Sequence, residues 1–157
     1  MRPSSVSVSP TPPDPVPRDQ CMEMPHLPGI TPDFARNFTM SFATGIPFTG
    51  STEPRITGWC RHLTPAVGVA AVSALVDAWP GSVLPVLTRP APASTVRWSL
   101  QFPGASDVAA DEWCWYENET VTAQGGYSTM TARLWQDGRL LSWSEQVLTV
   151  FERPAEG

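Results

Sequence analysis

The chain contains no lysine, and all ten of its basic side chains are arginine. Charge of either sign is scarce, at 16% of 157 residues against the ~25% of ordinary globular chains. So little solvating surface hints at a face buried between subunits. The formal charge of −5 argues against a nucleic-acid binder, which needs a basic face to displace counterions from phosphates. A long hydrophobic run is missing too. The most apolar stretch, Ala66 to Val76, is followed by Asp77 and Pro80, far short of the ~20 residues that cross a bilayer. The expected partners therefore include neither nucleic acid nor membrane.

Histidine and cysteine are equally sparse. With only His26 and His62, a Ser-His-Asp arrangement has little to draw on. Cys21, Cys60 and Cys114 show neither metal nor disulfide spacing. The first residues, MRPSSVSVSPTPPDP, lack the apolar core of a secretory signal. The expectation is a reduced, cytoplasmic protein with no metal or redox cofactor. No glycine-rich phosphate loop occurs. Gly125-Gly126 reads as a turn or bulge, with close approach of a substrate as the second reading.

Proline is abundant but unevenly placed, nine of 18 falling within residues 1–32. Such a stretch has few donors and disfavours helix, so residues 1–30 read as a Pro-rich disordered leader or linker. Deleting residues 1–28 is then expected to leave the melting temperature nearly unchanged. Residues 31–157 read as one domain.

Within that domain Phe38, Met40 and Phe42 alternate with polar neighbours, the periodicity of a strand. A second strand is expected at Arg55 to Arg61. Thr64-Pro65 then offers an N-cap and a first-turn proline, predicting a helix that runs to about Trp79 and stops at Pro80-Gly81. After Pro92 the pattern is strand throughout, and Asp137-Gly138 supplies a strong hairpin signal. A helix apolar nearly all round is normally buried. One such helix among about six antiparallel strands predicts an α+β hotdog fold, a curved sheet wrapping a long helix.

Three side chains draw attention. Asp77 falls near the C-terminal end of the predicted helix, where the macrodipole disfavours an anion, on a strip with Ala66, Ala70 and Ser73. It is either a working carboxylate or the solvated end of a frayed helix. Gln146 lies on the apolar face of the last strand, with Leu148 and Val150. A buried amide there is hydrogen-bonded, to backbone or to a functional group. Thr95, by strict alternation, falls with Arg97, Ser99 and Gln101 opposite the apolar face.

The segments Gly58-Trp59-Cys60-Arg61, LTPAVGVAAVSALVDAWP, PAPASTVRWSLQF and LWQDGRLLSWSEQVLTVF together resemble the C-terminal hotdog of the acyl-CoA thioesterase II (TesB-like) group of double-hotdog enzymes. The resemblance covers about residues 31–152. It implies hydrolysis of an acyl-CoA or related thioester, with Asp77, Thr95 and Gln146 holding the attacking water; Ser94 is the alternative to Thr95 if the register differs by one. Asp77 would be the general base or water-orienting carboxylate, and backbone N–H groups near the helix start would steady the oxyanion. Arg61, Arg97, Arg133 and Arg139 are equal candidates for the phosphates of coenzyme A. Double-hotdog enzymes carry a complete hotdog before this one, where this sequence has the Pro-rich leader. The resemblance therefore implies a homodimer or pairing with a separate hotdog half. The competing reading is a non-catalytic hotdog half that binds acyl groups or serves as an assembly module. A hotdog hydratase needs a His five residues after the Asp, where Ser82 stands.

Overall fold

The computed structural model describes residues 5–29, 31–103 and 111–151. In chain order they form β1 (Met22–Glu23), β2 (Phe38–Thr44), β3 (Arg55–His62), α1 (Gly68–Asp77), β4 (Ala93–Gln101), β5 (Cys114–Gln124), β6 (Tyr127–Gln136) and β7 (Arg139–Val150). The strands join in one antiparallel sheet ordered β1-β2-β3-β5-β6-β7-β4, so β4 and the two-residue β1 are its edges. Two tight turns set the long hairpins. Asp137 and Gly138 take φ of 48° and 73°, and Gly125 and Gly126 take 61° and 82°. Paired left-handed residues match the twist of the flanking strands.

One sheet face packs on α1, and the alternation of the strands decides which side chains meet it. Ile56 and Cys60 of β3, Cys114 and Tyr116 of β5, and Ala132 and Leu134 of β6 join Val72, Leu75 and Val76 of the helix in the core. Trp79, just past the helix, stacks on Tyr116 at 4.7 Å between ring centroids and meets the edge of Phe42 at 5.1 Å. Gly58 admits that ring, since a Cβ there would lie 2.7 Å from it. This single helix against a curved antiparallel sheet is the expected hotdog fold, with seven strands where about six were predicted.

The helix differs from the sequence reading at its start. Thr64-Pro65 does not cap it; α1 begins at Gly68, after Val67, with no side-chain cap. Gly68 has φ +81°, and a left-handed residue cannot continue a right-handed helix from the proline side. Among the described residues only one flank of α1 is covered. Ala71, Val72, Leu75 and Val76 are buried, while Val69 is 50% exposed and Ala70 and Asp77 are exposed.

The expectation of an unpacked leader is corrected over residues 12–24; residues 1–4 and 30 of that leader lie outside the described residues. Met22 and Glu23 pair with Phe42 and Ser41 of β2. Trp59 Nε1 donates to the Val16 carbonyl at 2.8 Å. Pro13 and Pro15 line a small pocket with Trp59, Trp115 and Trp135, and the Arg18 and Arg61 guanidiniums lie 4.4 and 4.7 Å from the Trp113 ring centre. The physical reason is that an extended proline segment has few N–H groups to satisfy and can bury its rings on a flat aromatic surface. That surface comes from β3, β5 and β6, so local composition gave no sign of it.

Candidate functional site

The two edge-side strands of the sheet bring Thr95 and Gln146 together. Gln146 Nε2 donates to Thr95 Oγ1 at 2.6 Å. Strict alternation would forbid this contact, and a β-bulge permits it. Thr95 pairs with Leu148 whereas Arg97 pairs with Val147, so Val96 is one residue too many on β4. It is 58% exposed. The bulge returns Thr95 to the face that carries Trp98, Leu100 and Gln146. Ser94, opposite Thr149, falls on the other face.

Asp77 is the last residue of α1 and is exposed. Among the described residues nothing hydrogen-bonds or ion-pairs with its carboxylate, and it is not bonded to Thr95 or Gln146. The chain that follows it nevertheless leads to their neighbours. A Cβ on Gly81 would lie 2.6 Å from Leu148 Cδ2 and 3.3 Å from the Met130 sulfur. Leu148 is the cross-strand partner of Thr95, and Met130 that of Gln146. Glycine at 81 thus lets the post-helix loop settle on this part of the sheet.

Gly125 and Gly126 form the β5–β6 turn and line a cavity of about 230 Å³ with Val83, Leu87, Ser128 and Val150. Ser128 is 1% exposed, and among the described residues its Oγ has no hydrogen-bond partner. Sequence reasoning missed this residue. The signal was present, because Ser128 continues the inward alternation of Met130, Ala132 and Leu134.

Other nucleophiles are poorly placed. Cys60 and Cys114 face each other across β3 and β5, both fully buried. Burial pushes both thiols up, Cys114 to about 12 with the Asp137 carboxylate adding to the effect. Neither offers a thiolate at neutral pH. Among the described residues no group of three His, Cys, Asp or Glu side chains could hold a metal ion. No helix of the described residues is long and apolar enough to cross a membrane. Of the arginine candidates, Arg61 lies over Trp113 and Arg97 pairs with Glu145 at 3.7 Å. Arg133 and Arg139 are exposed.

The architecture is shared with solved structures. A hotdog-fold protein of unknown function from Alicyclobacillus acidocaldarius superposes with a TM-score of 0.82 at 22% identity, over 98% of this chain and 59% of its own. The acyl-CoA thioesterase II TesB2 of Mycobacterium marinum gives 0.71 at 16%, over 98% and 60%. The tesB protein of Mycobacterium avium subsp. paratuberculosis gives 0.69 at 13%, over 94% and 57%. This chain therefore spans about three fifths of the length of each. No curated protein matches it. Residues 12–150 match the family model described as the acyl-CoA thioesterase C-terminal domain, and the chain belongs to that family.

Proposed function

We propose that this chain is an acyl-CoA thioesterase in which Asp77, Thr95 and Gln146 position the water that attacks the thioester carbonyl. The observation that carries the reading is the Gln146–Thr95 hydrogen bond, built by a bulge on the sheet face toward which the Asp77 loop leads. In this reading the Thr95 hydroxyl and the Gln146 amide fix the water, and the Asp77 carboxylate takes its proton as the oxygen bonds to the carbonyl carbon. The tetrahedral intermediate then expels the coenzyme A thiolate, which recovers the proton and leaves the free acid. Backbone N–H groups, such as those of the uncapped first turn of α1, would stabilise the oxyanion. No metal or redox group is needed for this chemistry.

The site works, in this reading, against a second hotdog, either another copy of the chain or a separate half. Support comes from the flank of α1 left open among the described residues, where Ala70 and Asp77 are exposed, and from the edge of β4, unpaired among those same residues. An edge of nine residues (Ala93–Gln101) is a ready template for pairing.

The test is release of free thiol from acyl-CoAs of short to long chain, with wild type and Asp77→Asn side by side. Turnover that disappears in the folded variant supports the assignment. Absence of turnover on every substrate by folded wild type would replace it with the non-catalytic hotdog half.

A further inference from the structure

We infer that the outer face of the sheet is a recognition site for a proline-rich segment in the polyproline II conformation. Residues 12–18 are its resident ligand, and a second segment of the same pattern binds there in trans when the resident one lifts. That face is opposite the one that carries Thr95 and Gln146, so the site is independent of the thioesterase reading.

The floor of the site is a row of three tryptophans. Trp59 pairs with Trp115, and Trp115 pairs with Trp135, so β3, β5 and β6 set three indoles side by side across the strands. Their chain neighbours Cys60, Tyr116 and Leu134 belong to the core, and alternation therefore sends the indoles to the outer face. The sheet itself fixes the rings. Trp59 meets the edge of Trp115 at 5.3 Å between centroids. Trp135 Nε1 donates to Glu117 Oε2 at 3.2 Å, and Arg55 holds the other oxygen of that carboxylate at 3.4 Å.

The segment that lies on this row is preset to fit it. Pro12, Pro13, Pro15 and Pro17 fix their own φ and push the residues before them into extended conformations. Pro17 has φ −51° and ψ 135°. Polyproline II makes no internal hydrogen bonds, so its carbonyls stay free for a partner. The Val16 carbonyl takes its bond from Trp59 Nε1. Lengths agree as well. Three residues of polyproline II rise about 9.3 Å, and two interstrand steps from Trp135 to Trp59 cover about 9.6 Å. A Cβ on Gly138 would lie 3.8 Å from the Pro12 ring, so the segment starts at the β6–β7 turn and crosses the strands to β3. Pro13, Pro15 and Val16 are half-buried on the row, while Pro12, Asp14 and Pro17 are exposed. Arg18 then lies 4.4 Å from the Trp113 ring centre, which selects a cation after the prolines.

The fit is that of a ligand rather than of a core. Packed interiors leave few voids larger than a water molecule, yet a cavity of about 150 Å³ remains between Pro13, Pro15 and the indoles of Trp115 and Trp135. Aromatic grooves take polyproline II segments because these are already ordered before they bind.

The experiment titrates the full-length chain carrying Pro13→Gly and Pro15→Gly, which loosens the resident segment and leaves the tryptophan row intact. The probe is a fluorescent peptide of residues 10–20, read by anisotropy, with a melting curve to confirm the fold. The double variant should bind the peptide at least about tenfold more tightly than wild type, where the tethered segment competes at high effective concentration. Adding Trp59→Phe should weaken the peptide about fivefold, the loss of one hydrogen bond. No saturable binding to the double variant at about 1 mM peptide, the upper end of useful affinity, overturns the inference. So does equal binding by wild type, equal binding of a scrambled peptide, or an affinity that Trp59→Phe leaves unchanged. If the double variant does not fold, wild type labelled with fluorotryptophan decides. Excess peptide should then shift the ¹⁹F resonances of Trp59 and Trp135, and a spectrum that does not move overturns the inference.

Discussion

Thr95 and Gln146 are joined by a 2.6 Å hydrogen bond across β4 and β7, although Thr95 occupies the outward parity of its strand. Val96, the bulged residue between Thr95 and Arg97, reconciles the two. Its side chain is largely exposed, so its contribution is one extra residue in the count.

A counter-intuitive consequence follows from that count. Deleting Val96 makes Thr95 and Arg97 neighbours and restores simple alternation, with Thr95 still facing Gln146. The deletion should keep turnover within about threefold, whereas Thr95→Val, which removes the acceptor, should lower kcat by roughly 10–100-fold through misplacement of the water. Steady-state kinetics of the two variants checks this. A dead deletion beside an active Thr95→Val would contradict the assigned roles.

Asp77→Asn keeps the shape of the side chain and removes its basicity. It should leave the melting temperature within a degree or two, because the carboxylate is exposed and, among the described residues, unpaired. It should cut kcat by about 10²–10⁴-fold, the range of a lost general base. Full activity in this variant would end the proposed role.

Truncating residues 1–20 removes the Val16 acceptor of Trp59 and the Arg18 contact with Trp113. It also uncovers tryptophan surface beneath Pro13 and Pro15. A loss of about 2 kcal/mol, or roughly 4–8 °C in Tm, is expected. A melting temperature unchanged by the truncation would show that these contacts contribute nothing to stability.

Alkaline pH should weaken the fold. The Cys114 thiol is moved by burial from the usual 9.0 to about 12, and Cys60 and Tyr116 are pushed in the same direction, again chiefly by burial. Above pH 9 the unfolded chain sheds these protons while the folded chain keeps them, so unfolding becomes easier as pH rises. Stability should be level between about pH 6 and 8 and then decline, by at most about 1.4 kcal/mol per pH unit for each group. Denaturant midpoints measured from neutral pH to about 10.5 would detect the slope, and Cys114→Ala should reduce it.

Pairing through the β4 edge and the open flank of α1 predicts a solution mass of roughly twice the 17.1 kDa chain, as for a two-fold dimer. Light scattering that gives a single 17.1 kDa species would argue instead for a separate hotdog half as the partner.

The strands were legible because their apolar residues recur at period two, and the Asp137-Gly138 turn because only residues tolerant of left-handed φ occupy it comfortably. Gln146 was legible for the same reason, as a polar residue on an apolar face. What the sequence by itself determined, then, was the element order and hence the α+β hotdog layout, through local periodicity and turn chemistry. Three features needed the tertiary structure. The helix start depends on the φ of Gly68, which overrides a good capping signal at Thr64-Pro65. The leader is held by tryptophans between about 40 and 120 residues away, a surface that exists only once β3, β5 and β6 are paired. The Thr95–Gln146 pair arises from register: a bulge moves one side chain across the sheet. Periodicity records which face a residue prefers, but cross-strand neighbours decide which face it receives.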